Sequence, residues 1–144
     1  MLNSKMLKQF NKAYANDALK TAVYGAGPIG LVIMLYEGAI KAINQAVFSI
    51  EAKDFATKSR MISNTIDILD GLRDSLDLET GSEAAHNLNA LYVYMRQRLC
   101  TANLKNDLTI LHEVRGLLET ILPAWQQVNR SSMANSTATA SNAF

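Results

Sequence analysis

Residues 28–50 read PIGLVIMLYEGAIKAINQAVFSI. Within them Ile29, Ile33, Tyr36, Ile40, Ile43, Val47 and Ile50 recur at spacings of 4, 3, 4, 3, 4 and 3. That heptad predicts an amphipathic helix of about 22 residues with one continuous apolar seam. Pro28 suits the first turn of such a helix, where its missing N–H leaves no bond unmade. The turn Glu51-Ala52-Lys53-Asp54 should end it. A second stripe, Val32, Leu35, Ala39, Ala42 and Ala46, runs beside the seam, and Leu31 and Met34 point elsewhere again. A helix in a simple bundle needs only one apolar stripe. The excess has two readings: a central helix covered on several sides, or an open groove for a partner's segment.

Three more helices follow. Ile62, Ile66, Leu69, Leu72 and Leu76 share one face of a helix expected over residues 55–76, with Arg60, Asp67, Asp70 and Arg73 on the others. Residues 77–82 break the chain; Thr80 with Glu83 has capping-box spacing, and Ser82 is a second cap candidate. The third helix reads Ala85, Leu88, Tyr92, Met95, Leu99 and Ala102, at spacings of 3, 4, 3, 4 and 3. Residues 103–107 interrupt it, and Asn106 or Asp107 can cap a fourth helix marked by Leu108, Leu111, Val114, Leu118, Ile121, Trp125 and Val128. Pro123 lies inside that pattern and should kink or weaken its last turns. Residues 5–22 are weakly helical and carry Phe10 and Tyr14, while small polar residues without periodicity follow Arg130. The expected organisation is an N-terminal cap segment over residues 1–27, short, mobile and helical. An all-α antiparallel four-helix bundle follows over residues 28–130, then a disordered tail over residues 131–144.

Composition narrows the function. A chain of 144 residues has the length of one domain, and 49% hydrophobic with 19% charged residues fits a folded core. Fourteen Lys and Arg against 13 Asp and Glu leave a net charge of +1. That balance offers no basic footprint for nucleic acid and no polybasic membrane anchor. Cys100 is the single cysteine, so no internal disulfide forms and a reducing compartment is the default. The longest uninterrupted apolar run, residues 31–36, is six residues long, against about 20 for a membrane span. The first ten residues hold no secretory apolar region. A cytoplasmic protein without membrane insertion is the expectation.

Candidate chemistry is thin. Glu83-Ala84-Ala85-His86 is a Glu-x-x-His at helical spacing, one piece of a di-iron carboxylate site that needs two such pieces and two further Glu. His112 has Thr109, not Glu, three residues before it. Glu83 therefore reads as a first-turn acid favoured by the helix dipole. A histidine phosphotransfer bundle would use an exposed mid-helix histidine, whereas His86 and His112 fall in opening turns. Cys100 has no His or Cys partner nearby in sequence and reads as a half-buried, inert thiol. Gly25-x-Gly27-x-x-Gly30 has dinucleotide-binding spacing, yet no strand precedes it and Pro28 interrupts it. No catalytic residue, metal or cofactor is expected.

A set of ordered segments is more specific. Ala13-Tyr14-Ala15 is followed by Val23-Tyr24-Gly25-Ala26-Gly27-Pro28, then by Leu31-Val32-Ile33-Met34-Leu35-Tyr36-Glu37-Gly38-Ala39-Ile40. Ser75-Leu76-Asp77 precedes the second break. Asn87-Leu88-Asn89-Ala90-Leu91-Tyr92-Val93-Tyr94-Met95-Arg96 leads on to Arg98-Leu99 and Ala102-Asn103-Leu104-Lys105-Asn106-Asp107. Glu113-Val114 and Ala124-Trp125 close the series. In this order and spacing, over residues 13–128, the chain resembles the flagellar secretion chaperones of the FliS type. Gly25 and Gly27 stand where that family usually has Thr or Ser.

The resemblance implies a cytoplasmic four-helix bundle with no catalytic activity. It implies binding of the C-terminal segment of newly made flagellin, which is disordered when free. Binding would prevent premature polymerisation and deliver flagellin to the flagellar type III export gate. Tyr14 matches the family's near-N-terminal tyrosine, implicated in covering the apolar surface and in gate docking. Resemblance and apolar excess together select Tyr14, Ile29, Leu31, Val32, Met34, Leu35, Leu88, Leu91, Tyr92, Met95 and Leu104 as partner-binding residues, although the third-helix seam positions also fit a core. Another flagellar regulator or a co-chaperone is a further partner. A homodimer through the excess apolar stripe of the first helix is the alternative reading.

Overall fold

In the computed structural model the backbone is described for residues 17–142 and the side chains for residues 28–134. The described residues form four helices: α1 (Asp17–Glu51), α2 (Phe55–Asp74), α3 (Glu83–Lys105) and α4 (Leu108–Asn142). Each of α1 and α3 packs on both α2 and α4. Short connections reverse the chain between successive helices, so the four form an antiparallel bundle.

The expectation for Pro28 needs correcting. α1 begins at Asp17, so Pro28 sits in its interior rather than in a first turn, and the helix is 35 residues long. α4 is also 35 residues long and runs through Pro123 to Asn142. Each proline removes one helical hydrogen bond, and the helix continues past Pro28 although the weak helix formers Gly25, Gly27 and Gly30 surround it. Beyond the expected boundary at Arg130 the backbone stays helical although residues 131–142 contain no Leu, Ile or Val. α1 and α4 are antiparallel neighbours that outrun α2 and α3, which have 20 and 23 residues. The start of α1 and the end of α4 therefore extend from the same end of the bundle.

The core also corrects the reading of α1. Leu31, Leu35, Tyr36, Ala39, Ala42, Ile43 and Ala46 are buried, whereas Ile29, Ile33, Ile40, Val47 and Ile50 of the predicted seam are half-buried. Two adjacent stripes share one period, so periodicity alone does not rank them. Their size does: Ala39, Ala42 and Ala46 let neighbouring helices approach closely, and axis separations of about 8–10 Å depend on the residues at the contact. Opposite this stripe stand Ile62, Ile68, Leu69 and Leu72 of α2, Tyr92, Met95 and Leu99 of α3, and Leu111, Val114 and Leu118 of α4. By length and composition Pro28–Glu51 would pass as a membrane span, with mean hydropathy 1.3; the bundle core accounts for that apolarity.

Side chains mark the helix ends. Asp54 accepts from Thr57 N–H at 3.2 Å and from its hydroxyl at 2.7 Å, which starts α2. These two bonds hold the Asp54 carboxyl below its ordinary value. Ser82, not Thr80, caps α3 by accepting from Ala85 N–H; the Thr80 hydroxyl bonds Asp77 instead. Asn106 and Asp107 divide the next connection. Asn106 takes a left-handed conformation at φ 51° and ends α3. Asp107 accepts from Thr109 and Ile110 N–H at 2.9 and 3.2 Å and starts α4.

One polar residue joins two helices at this end. Lys58 is 6% exposed. Its ammonium donates to the Asn103 carbonyl at 2.8 Å and to Asn106 Oδ1 at 2.7 Å. It thus satisfies the C-terminal end of α3, where free carbonyls concentrate negative partial charge. Lys58→Ala should lower unfolding free energy by about 1.5–3 kcal/mol, the range for hydrogen bonds to a charged group, as measured by urea titration. A loss near zero would mean that the ammonium adds nothing to the closure of α3.

Candidate functional site

The side chains that organise the site meet at one level of the core. Tyr36 of α1 and Tyr92 of α3 are both buried, with their oxygens 2.5 Å apart. The two rings meet edge-on at 6.3 Å and 67°. Trp125 of α4 rests on Tyr36 at 6.3 Å and 56°. A buried hydroxyl is costly unless bonded, and here each phenol supplies the other's partner. Burial pushes both phenols above their ordinary pKa. For Tyr36, hydrogen bonding from Tyr92 and Trp125 opposes the rise; for Tyr92, the neighbouring phenol adds to it.

Beyond this layer lie the start of α1, the start of α3 and the end of α4. The side chains there are apolar and half-buried: Ile29, Val32, Ile33 and Met34 on α1, Leu88 and Leu91 on α3, Ile121, Leu122 and Trp125 on α4. Leu78 and Val128 are exposed beside them in the chain. This is an apolar end whose inner side is closed by the tyrosine pair and whose outer side is partly open. Antiparallel topology assembles it from three segments that are far apart in sequence.

The residues selected from the sequence fall into groups. Ile29, Val32, Met34, Leu88 and Leu91 belong to the apolar end. Leu31, Leu35, Tyr92 and Met95 are buried in the core, which for Tyr92 and Met95 is the core position that the third-helix seam also allowed. A heptad position records that a residue is apolar and which way it repeats, but not whether another helix covers it. Leu104 is 83% exposed, but about 18 Å along α3 from Tyr92, at the opposite end. Tyr14 lies outside the described residues. The stripe offered for a homodimer has Leu35, Ala39, Ala42 and Ala46 buried, with Val32 half-buried. Cys100 is exposed rather than half-buried. Ile121 and Trp125 were placed on the fourth-helix seam without being assigned to the site, their signal being proximity to the end of that seam; Leu122 stood on no predicted seam.

Polar ties hold the helices around this core. Glu113 of α4 accepts from Tyr94 at 2.5 Å and from Arg98 at 2.8 Å, both on α3. Those bonds, Tyr94 first, keep the Glu113 carboxyl below its ordinary value. Arg96 pairs with Asp70 at 3.1 Å and Arg73 donates to Asn89 at 3.0 Å, linking α2 to α3. Arg115 donates to Asn44 at 2.7 Å and links α4 to α1. Among the described residues no three His, Cys, Asp or Glu side chains gather into a metal-holding group.

Comparison with known proteins gives one consistent result. The family described as "Flagellar protein FliS" matches residues 10–132. The flagellar secretion chaperone FliS of Salmonella typhimurium is 44% identical over 119 residues, 82% of this chain and 88% of that protein. The flagellar secretion chaperone FliS of Escherichia coli is 38% identical over 117 residues, 81% and 86% of the two chains. The flagellar secretion chaperone FliSB of Pseudomonas aeruginosa is 36% identical over 118 residues, 82% and 94%.

The tyrosine pair generates two expectations. Tyr36→Phe should cost about 1–3 kcal/mol, because it leaves a buried phenol without its partner. The double Tyr36→Phe, Tyr92→Phe variant should cost less than the sum of the singles, since one bond is lost only once; denaturant titration measures both. The raised phenols also set a pH dependence. Folding favours their neutral forms, so their contribution is complete below the ordinary value of 10.0 and falls as pH rises above it. In an alkaline titration followed by phenolate absorbance, these two tyrosines should ionise together with loss of helix, not before it.

Proposed function

The chain belongs to the flagellar protein FliS family, a family of secretion chaperones and not of enzymes, and we propose that it binds the C-terminal segment of flagellin at the apolar end of the bundle. Bound there, the segment is kept from premature polymerisation and is carried to the flagellar type III export gate. This reading places the chain in the cytoplasm, where flagellin is made. The supporting observation is the half-buried set Ile29, Val32, Met34, Leu88 and Leu91, drawn from two helices onto one end.

The energetics favour that surface. A segment that is disordered when free loses about 2–5 kcal/mol or more on ordering, so it needs a large apolar contact. Side chains already half out of water make such a contact without opening the core. Met34 adds an adaptable, unbranched side chain. Tyr14 is carried as the gate-docking residue on resemblance to the family alone, and a regulator or co-chaperone remains a further partner on the same ground. The homodimer through the second stripe of α1 has no comparable support, because most of that stripe is buried.

Calorimetric titration with the C-terminal segment of flagellin from the same bacterium tests the reading. Saturable binding should appear, with a negative heat-capacity change and a gain in helix by circular dichroism. Leu91→Asp and Val32→Asp should each keep the helical spectrum and weaken binding by about tenfold or more, the scale of a lost interface anchor. Unchanged affinity in both folded variants would remove the apolar end as the client site.

A further inference from the structure

α1 and α3 stand across a diagonal of the bundle, since each packs on both α2 and α4. The polar ties Arg96–Asp70, Arg73–Asn89, Arg98–Glu113 and Arg115–Asn44 all join neighbouring helices. The bond between Tyr36 and Tyr92 crosses the diagonal instead. It is also fully enclosed, with Tyr36 0% and Tyr92 1% exposed. One helical turn outward from the two tyrosines, about 6 Å, stand half-buried Val32 on α1 and Leu88 on α3. Residues four apart share one face of a helix. The distance across the tyrosine pair is therefore passed on to the two walls of the apolar end.

Stability does not account for this bond. Replacing both partners of a buried hydrogen bond by apolar groups of the same shape can be nearly neutral, and two phenyl rings would fill the same space. What the oxygens add is a length. An O–H···O bond holds its atoms within about 2.5–3.0 Å, whereas apolar contact is non-directional. We infer that Tyr36 and Tyr92 are positioning residues for client binding: their bond fixes the separation of α1 from α3 at the width that the client segment fits. The inference rests on the reading that this segment docks at the apolar end. A segment that orders on contact binds best to walls already at the right spacing, because no interaction energy is lost in moving them.

The test titrates the full chain with the flagellin C-terminal segment in a calorimeter. The double Tyr36→Phe, Tyr92→Phe variant keeps both rings and should keep the helical spectrum. Its affinity should fall about threefold to thirtyfold, the scale of substitutions that act on a site without touching the ligand. Lys58→Ala, which loosens the opposite end, should leave affinity unchanged. Spin labels at exposed Glu37→Cys and Ala90→Cys, with the exposed native thiol removed as Cys100→Ser, report the separation of α1 from α3. The distance distribution should be narrow with the tyrosine pair intact, and wider or displaced in the double variant. Should that variant lose its helix, Tyr92→Phe alone carries the same comparison. Equal affinity in the folded variant overturns the inference and leaves the chaperone reading standing. Weaker binding at an unchanged distance also overturns it, because the hydroxyls then act on the client themselves. An equal loss in Lys58→Ala overturns it as an effect of stability. If the unsubstituted chain does not bind, the chaperone reading and the inference fall together.

Discussion

The close approach permitted by Ala39, Ala42 and Ala46 is the constraint on which the rest of the bundle depends. These buried residues form the inward stripe of α1, the helix that touches both α2 and α4. With small residues at the contact, α1 supplies its bulk to the core at Leu31, Leu35, Tyr36 and Ile43. The larger isoleucines are then displaced to the flank, where they stay half-buried. Partly open apolar side chains are thus a consequence of how α1 packs, rather than a separate feature added to a finished bundle.

The two ends of the bundle are finished by different chemistry. Where α1 meets α2 and α3 meets α4, Asp54, Lys58, Asn106 and Asp107 satisfy helix termini with hydrogen bonds. At the other end, the tyrosine pair and Trp125 close the core and apolar side chains extend past it. Polar closure is directional and fixes geometry. Apolar contact is non-directional, which suits a surface that must accept a chain with little structure of its own.

Legibility from sequence followed the number of competing stripes. α3 has a single seam, and Tyr92, Met95, Leu99 and Ala102 were placed on it and are buried. α1 has two stripes of the same period, and the second, which the sequence left open between a covered central helix and a groove, is mostly core. Volume, not period, decided between them. Pro28 misled as a boundary because one missing hydrogen bond need not end a helix. Lys58 gave no signal at all: a lysine reads as solvated until the carbonyl and amide oxygens that hold it are located in space. For the candidate site, the apolar excess was readable, but its division between core and surface depended on which helices became neighbours.

The parity of the bundle has a practical side. With an even number of antiparallel helices, the leading part of α1 and the trailing part of α4 leave from the same end as the half-open apolar surface. Any extra polypeptide joined ahead of α1 or behind α4 is therefore tethered near that surface, where its high effective concentration makes it a competitor for whatever docks there. A label placed in the connection between α1 and α2, at exposed Ala52 or Lys53, is held at the far end instead. The fold thus makes the position of an attachment part of the binding equilibrium.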